Sequence, residues 1–326
     1  MPESPVLSLE NLKTYFFTRS GTAKAVDGVC LDLRKGETLG IVGESGSGKS
    51  VTCLSILRLV PPPGRIVDGK ILLEGRNLLE LSKRELRQVR GKQIGMVFQD
   101  PMTSLNPFLS IGDQVAETLL VHEQLSRRQA LRRAAEVLEK VGISDAANRL
   151  ADYPHRFSGG MRQRVMIAMA LIGNPKILIA DEPTTALDVT IQAQVLELFR
   201  QIKADFGASI ILITHNLGIV AGMADHVAVM YAGRVVEYAP TEEMFSRPRH
   251  PYTLALLATL PRPGEGGNDL QPIPGTPPDL TRLPPGCAFY DRCPFHEQHC
   301  LEEAPPLLPV GKDHWASCWV DFTAGR

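Results

Sequence analysis

The sequence predicts an α/β domain built around a phosphate-binding loop, with a helical insertion and a proline-rich extension. Three observations carry that prediction. Residues 43–50 read GESGSGKS, which fits the pattern Gly, four residues, Gly-Lys-Ser/Thr. The apolar run TLGIV stands just before the loop and a helical stretch over 51–59 just after it, so strand, loop and helix come in the required order. Further apolar runs at 94–98, 177–180 and 209–214 read as buried strands separated by helical stretches.

Within the loop, Gly43, Gly46 and Gly48 can take backbone angles closed to other residues, so that successive N–H groups point at phosphate oxygens from a helix N-terminus. Lys49 supplies a point charge for the β- and γ-phosphates, and the Ser50 hydroxyl a ligand for Mg²⁺. Ser45 in the loop and Val51 at the helix start complete the expected nucleotide contacts. A Gly/Ser-rich turn that binds nothing would require the spacing and both flanking elements to coincide.

Composition bounds the rest. At 326 residues the chain can form one large domain with an appendage, or two domains. A net charge of -1 leaves no electrostatic footprint for nucleic acid. No run approaches the roughly eighteen apolar residues of a membrane span. The N-terminus, MPESPVLSLE, lacks the basic and then apolar segments of a signal peptide, so the chain is expected to stay in the cytosol. There, six cysteines argue against a disulfide framework.

Taken in order, residues 6–9 read as an edge strand, followed by 12–17 with the aromatics Tyr15, Phe16 and Phe17. Phe16 is the candidate for stacking on a purine; sheet packing is the alternative. Residues 25–33 form a strand, residues 61–64 (PPPG) break the chain, and 69–75 form another strand. A short helix at 82–90 precedes strand 94–98 and Gln99. Residues 111–141 have helical periodicity and no convincing strand, the mark of an insertion.

Ser158, Gly159 and Gly160 open an apolar helix, an arrangement with a hydroxyl cap and free N–H groups that suits an anion, or serves as a plain cap. The strand at 177–180 ends in Asp181 and Glu182, at the edge where α/β sheets place ligands. One carboxylate there can orient hydrated Mg²⁺ and the other can polarise a water for in-line attack. A helix follows at 195–204, and the strand at 209–214 delivers His215 to the same edge, a candidate γ-phosphate sensor.

In this order the motifs resemble the ATPase subunit of an ABC transporter, most closely the oligopeptide/dipeptide importer group. Residues 43–50 resemble the Walker A loop, Gln99 the Q-loop glutamine, residues 158–161 the signature, 177–182 the Walker B strand, Leu187 and Asp188 the D-loop and His215 the switch histidine. The signature departs from the family pattern, reading FSGGM for LSGGQ, and Arg156 stands where an acidic residue is expected.

The resemblance implies a RecA-like P-loop NTPase core with an antiparallel β subdomain and a helical subdomain at about 100–170. The nucleotide-binding domain would cover 1–240 and a C-terminal extension 241–326. It also implies catalytic roles for Glu182, His215 and Gln99, with Ser50 and Gln99 on Mg²⁺. ATP held by one Walker A loop would be completed by the signature of a second ATPase, identical or a paralogue. Two membrane permease subunits and, indirectly, an extracytoplasmic binding protein are the further partners, and the chain would sit peripherally on the cytoplasmic face of the inner membrane. Relatives of this kind import dipeptides, longer peptides, nickel or sugars.

Fifteen of the 25 prolines follow Ala239, so the extension should be loop-rich, with helices at 241–245 and 251–260. Cys287, Cys293, Cys300 and Cys318 are separated by five, six and seventeen residues, wider than the close pairs of a Cys₄ zinc site. A 4Fe-4S cluster, which the resemblance also implies, is the expected occupant; His296, His299 and His314 keep zinc as an alternative, beside unligated or disulfide-bonded thiols. Cys30 and Cys53 are expected as buried small hydrophobes. From other classes, the rivals are a soluble ABC ATPase that remodels nucleic acid or ribosomes and a purely structural nucleotide-binding module. The single cassette disfavours the first, the presence of Glu182 and His215 the second.

Overall fold

The computed structural model describes residues 4–185, 187–260 and 272–322. The ends of both expected domains, and part of the proline-rich extension, lie outside the described residues. The chain divides into two compact units, Met1–Leu79 with Thr214–Arg326, and Glu80–Ile213.

In the first unit, strand Leu7–Thr18 pairs antiparallel with Gly21–Leu33 on one side and Gly64–Leu73 on the other, and Arg76–Asn77 lies beyond the latter. The expected edge strand is therefore central. Its alternation of buried residues skips from Leu7 and Leu9 to Leu12 and Thr14. The cause is a bulge: Asn11 has φ 49°, and the pairing shifts register between Glu10 and Lys13. Opposite it, a Cβ on Gly69 would lie 2.5 Å from the Asn11 carbonyl oxygen, so only glycine fits there. Cys30 is exposed, its Sγ accepting the Asn11 N–H at 3.3 Å, whereas Cys53 is buried as expected of a small hydrophobe.

Strand Thr38–Val42, buried throughout, runs parallel to His226–Tyr231, which continues antiparallel through Arg234–Pro240 to His314–Ala316 and Leu308–Gly311. The last two strands were not legible in a stretch dominated by proline and cysteine. Helix Leu217–Met223 crosses Gly40 so closely that a Cβ there would lie 2.7 Å from Val220 Cγ1. The core beneath is Val42, Val227, Val229, Tyr231, Tyr252 and Phe289 with their neighbours. In the extension, helices Thr241–Ser246 and Pro251–Ala258 lie where the sequence places them.

The second unit carries parallel strands Ile94–Val97, Ile177–Asp181 and Ser209–Ile213, with the middle one central. The helical stretch at 111–141 is two helices, Ile111–His122 and Arg127–Lys140, capped by Ser110 and Ser126; Ser126 and Gln129 form a capping box that restarts the helix. Helix Val189–Phe206 begins six residues before the expected 195, because the Asp188 carboxylate accepts the Ile191 N–H at 2.9 Å and nucleates it there. Among the described residues, no helix is long and apolar enough to cross a membrane.

Candidate functional site

In the first unit the loop at 43–48 joins strand Thr38–Val42 to helix Lys49–Ile56. Gly43, Gly46 and Gly48 have φ of 149°, 79° and 104°, closed to most other residues. A Cβ on Gly43 would lie 2.2 Å from the Met230 carbonyl oxygen, and one on Gly48 equally close to that of Ala25, so the loop is pressed onto neighbouring backbone. Gly46, by contrast, faces open space. The helix starts at Gly48 with no side-chain cap, and a helix N-terminus of this kind favours an anion. Lys49 is buried, and its Nζ donates to the carbonyls of Gly43 at 2.7 Å and Glu44 at 2.8 Å. The cation is thereby held over the loop. Ser45 is exposed, and Ser50 and Val51, on the first turn of the helix, are half-buried.

Phe16 is half-buried against the chain at Gly64, where a Cβ would lie 2.7 Å from its ring, while Tyr15 donates to Asp27 at 2.6 Å. His215 is exposed, two residues beyond the end of strand Ser209–Ile213. Asn216 next to it caps helix Leu217–Met223.

The second unit brings Gln99 and Glu182 together. Gln99 Nε2 donates to Glu182 Oε2 at 3.1 Å, and Thr185 Oγ1 donates to the same oxygen at 2.8 Å. Glu182 has φ 46°, a left-handed conformation costly for a residue with a side chain and common at functional turns. Asp181 is buried. Gln192 Nε2 donates to the carbonyls of Thr184 and Leu187, both at 3.2 Å, so the following turn is tied to the next helix. Ser158 caps helix Gly159–Leu171 by accepting the Met161 N–H at 3.4 Å; Ser158 and Gly159 are exposed. Arg156 pairs with Asp152 at 2.7 Å on the surface.

The expected metal cluster in the extension is not borne out. Among the described residues no group of three or more His, Cys, Asp or Glu side chains is placed to hold a metal ion. The placement of these side chains supports neither an iron–sulfur cluster nor zinc. Cys287, Cys293, Cys300 and Cys318 line one small cavity, but as packing groups: Cys287 and Cys293 lie against the hydrophobic core and Cys300 is buried. Burial pushes the Cys287 thiol up to about 11 and Cys318 up to about 12, favouring the neutral form. The histidines are otherwise engaged. His314 Nε2 bonds buried Glu237 at 2.8 Å, His296 Nδ1 the Cys293 carbonyl at 2.6 Å, and His299 packs on the Trp319 ring.

Two contacts with the loop escaped the sequence. Glu44 N–H donates to the Tyr252 hydroxyl, 208 residues away, and its carboxylate meets Arg292, 248 residues away. At such separations no local signal exists.

Residues 26–185 match the family described as ABC transporter, and residues 236–300 the one described as oligopeptide/dipeptide transporter, C-terminal region. The chain is 53% identical to the dipeptide transport ATP-binding protein DppD of Bacillus subtilis (strain 168) over 316 residues, covering 97% of this chain and 94% of that protein. It is also 53% identical to the oligopeptide transport ATP-binding protein OppD of the same strain, over 97% of this chain and 88% of that one. Among solved structures it resembles a dimeric post-hydrolysis state of the ATP-binding cassette MJ0796 bound to ADP and Pi. That match has a TM-score of 0.65 and 27% identity, over 72% of this chain and 98% of the other.

Proposed function

The chain belongs to the ATP-binding subunits of ABC transporters, in the oligopeptide/dipeptide importer family, and on that premise we propose that it hydrolyses ATP to drive peptide import. The observation that carries this is the equal, near-full-length identity to both a dipeptide and an oligopeptide transport subunit. The chain acts as one half of an ATPase dimer coupled to two permease subunits. It sits peripherally at the cytoplasmic face of the inner membrane, with an extracytoplasmic binding protein delivering the peptide. Residues 1–240 form the nucleotide-binding domain, with its helical subdomain at about 100–170, and 241–326 the extension.

The residues take their roles from their chemistry. The loop N–H groups of 43–50 and the charge of Lys49 hold the triphosphate, and Phe16 offers a ring to the purine. Ser50 and the carbonyl end of Gln99, whose amide nitrogen is spent on Glu182, are the hard oxygen donors that suit Mg²⁺, with Asp181 orienting its waters. The bound cation neutralises charge on the phosphates. Glu182, its carboxylate oriented by Gln99 and Thr185, polarises the attacking water. His215 contacts the γ-phosphate. Ser158, Gly159 and Gly160 close over the ATP held by the second subunit, and tighter binding of ATP to the closed dimer shifts the population towards it.

Reconstitution with its permease subunits and binding protein tests this reading. ATP hydrolysis should rise with di- or oligopeptide and be blind to DNA. Glu182→Gln should retain ATP, trap the dimer and lower turnover by about 10²–10⁴-fold. Stimulation by DNA, or by nickel or a sugar but not peptide, overturns it.

A further inference from the structure

At Glu44 the phosphate loop is held by side chains far from it in the sequence. Three of its groups are engaged. Its carbonyl oxygen accepts Lys49 Nζ at 2.8 Å, its N–H donates to the Tyr252 hydroxyl at 2.7 Å, and its carboxylate takes a two-pronged ion pair from Arg292, at 2.7 and 2.9 Å. The first of these partners belongs to the loop. The other two come from the C-terminal extension.

The extension presents both groups on a rigid mount. The Arg292 side chain is 4% exposed, against 27% for Glu44, so the pair is largely shielded from water. Its Nε donates to the Pro274 carbonyl at 2.9 Å, and NH1 also reaches the Tyr231 hydroxyl at 3.2 Å. The guanidinium lies 5.7 Å from the ring centres of both Tyr231 and Phe289. Tyr252 is fully buried, its ring 4.6 Å from Tyr231 and 5.3 Å from Phe289. Such a fork cannot rotate freely, so it dictates where the Glu44 carboxylate sits. Because Lys49 is moored to the carbonyls of Gly43 and Glu44, a displaced Glu44 displaces the lysine as well.

We propose that Arg292 and Tyr252 are positioning residues of the ATP site, through which the C-terminal extension sets the shape of the phosphate loop and thereby its affinity for the nucleoside triphosphate. The proposal rests on the reading of residues 43–50 as the triphosphate site. The extension is then part of the motor, and whatever binds or distorts it alters nucleotide affinity.

The test uses the full chain. Arg292→Ala is expected to raise KM for ATP by about tenfold while kcat at saturating ATP stays within about twofold. Arg292→Lys, which keeps the charge and loses the fork, should fall between. Tyr252→Phe keeps the ring cluster and removes only the acceptor for the Glu44 N–H; about threefold in KM is expected, with a melting temperature lowered by no more than a few degrees. Nucleotide-free hydrogen exchange at residues 44–49 should quicken in all three variants, and an Arg292→Ala/Glu44→Gln double mutant should be no worse than either single change.

Unchanged KM and exchange in folded Arg292→Lys and Tyr252→Phe overturn the proposal, even if Arg292→Ala fails to fold. A wild-type chain that binds no ATP refutes the functional reading instead. The exchange experiment, run without nucleotide, then still decides whether the extension holds the loop.

Discussion

Helix Lys49–Ile56 begins at a glycine with no side-chain cap, whereas helix Gly159–Leu171 begins at Ser158, whose hydroxyl already serves the Met161 N–H. Around the first, the backbone is packed so tightly that a Cβ on Gly43 or Gly48 would collide with a carbonyl, and Lys49 is buried. Around the second, Ser158 and Gly159 are exposed, and a Cβ on Gly159 would meet nothing within 4 Å. The first is shaped by its own chain and suits a ligand held before assembly. The second is an open surface, as expected of the half-site offered to a second subunit's ATP.

The comparison breaks most sharply at Lys49. Lys49→Ala removes a buried cation from the phosphate loop, and ATP affinity measured on the isolated subunit should fall by about 100-fold. An unaffected affinity would mean that the loop's N–H groups suffice and that the cation serves only to brace the carbonyls of Gly43 and Glu44.

The open surface predicts the opposite split. Gly159→Asp meets no atom, and a carboxylate at a helix start is favourable, so folding should be untouched. If Gly159 belongs to the proposed half-site, the carboxylate's charge faces the phosphates of the second subunit's ATP. Turnover should fall by at least about tenfold while isolated-subunit ATP affinity stays unchanged. Equal loss of both would place this surface in the subunit's own nucleotide site.

How much of this was legible depends on the range of the cause. The phosphate loop, the Ser-Gly-Gly start and the Asp181-Glu182 strand end are dictated by local backbone demands, so the spacing of a few residues reveals them. Strand Leu7–Thr18 looked like an edge because its bulge at Asn11 interrupts the alternation. The cysteines depart from the expectation for a different reason: spacing gives separation along the chain but not where thiols point, and here burial takes up the groups that spacing offers as ligands. Arg292 and Tyr252 are joined to Glu44 by the fold alone.

A pH change separates the two regions without mutation. His250 caps helix Pro251–Ala258, accepting the Tyr252 N–H on Nδ1 at 3.0 Å, and its own N–H donates to Glu237 at 2.9 Å. Burial holds its pKa down at about 3, against 6.5 unperturbed, with a backbone hydrogen bond to Ser317 opposing. The folded state therefore keeps it neutral while the unfolded chain takes a proton below about 6.5, so stability falls as pH drops from there towards 3. Between pH 7 and 5.5 the loss is about 1 kcal/mol by denaturant titration, and His250→Gln should flatten it. The loosening should quicken exchange around the phosphate loop, which Tyr252 supports, and leave residues 158–171 unchanged.

The smallest effect belongs to Ser158, where two roles meet in one hydroxyl. As a cap it satisfies one N–H, and Ser158→Ala should cost about 1 kcal/mol or less in unfolding free energy. If capping were all it did, turnover at saturating ATP would survive, because the helix start at Gly159 would persist. If the hydroxyl also donates to the second subunit's γ-phosphate, turnover should fall severalfold in a dimer whose melting temperature barely moves. Ser158→Thr restores the cap and the donor together, so it should recover both quantities. Ser158→Asp restores the cap but brings negative charge against phosphate, and should recover stability alone. Recovery of turnover by Asp would reduce Ser158 to a cap and leave the open surface without a phosphate contact of its own.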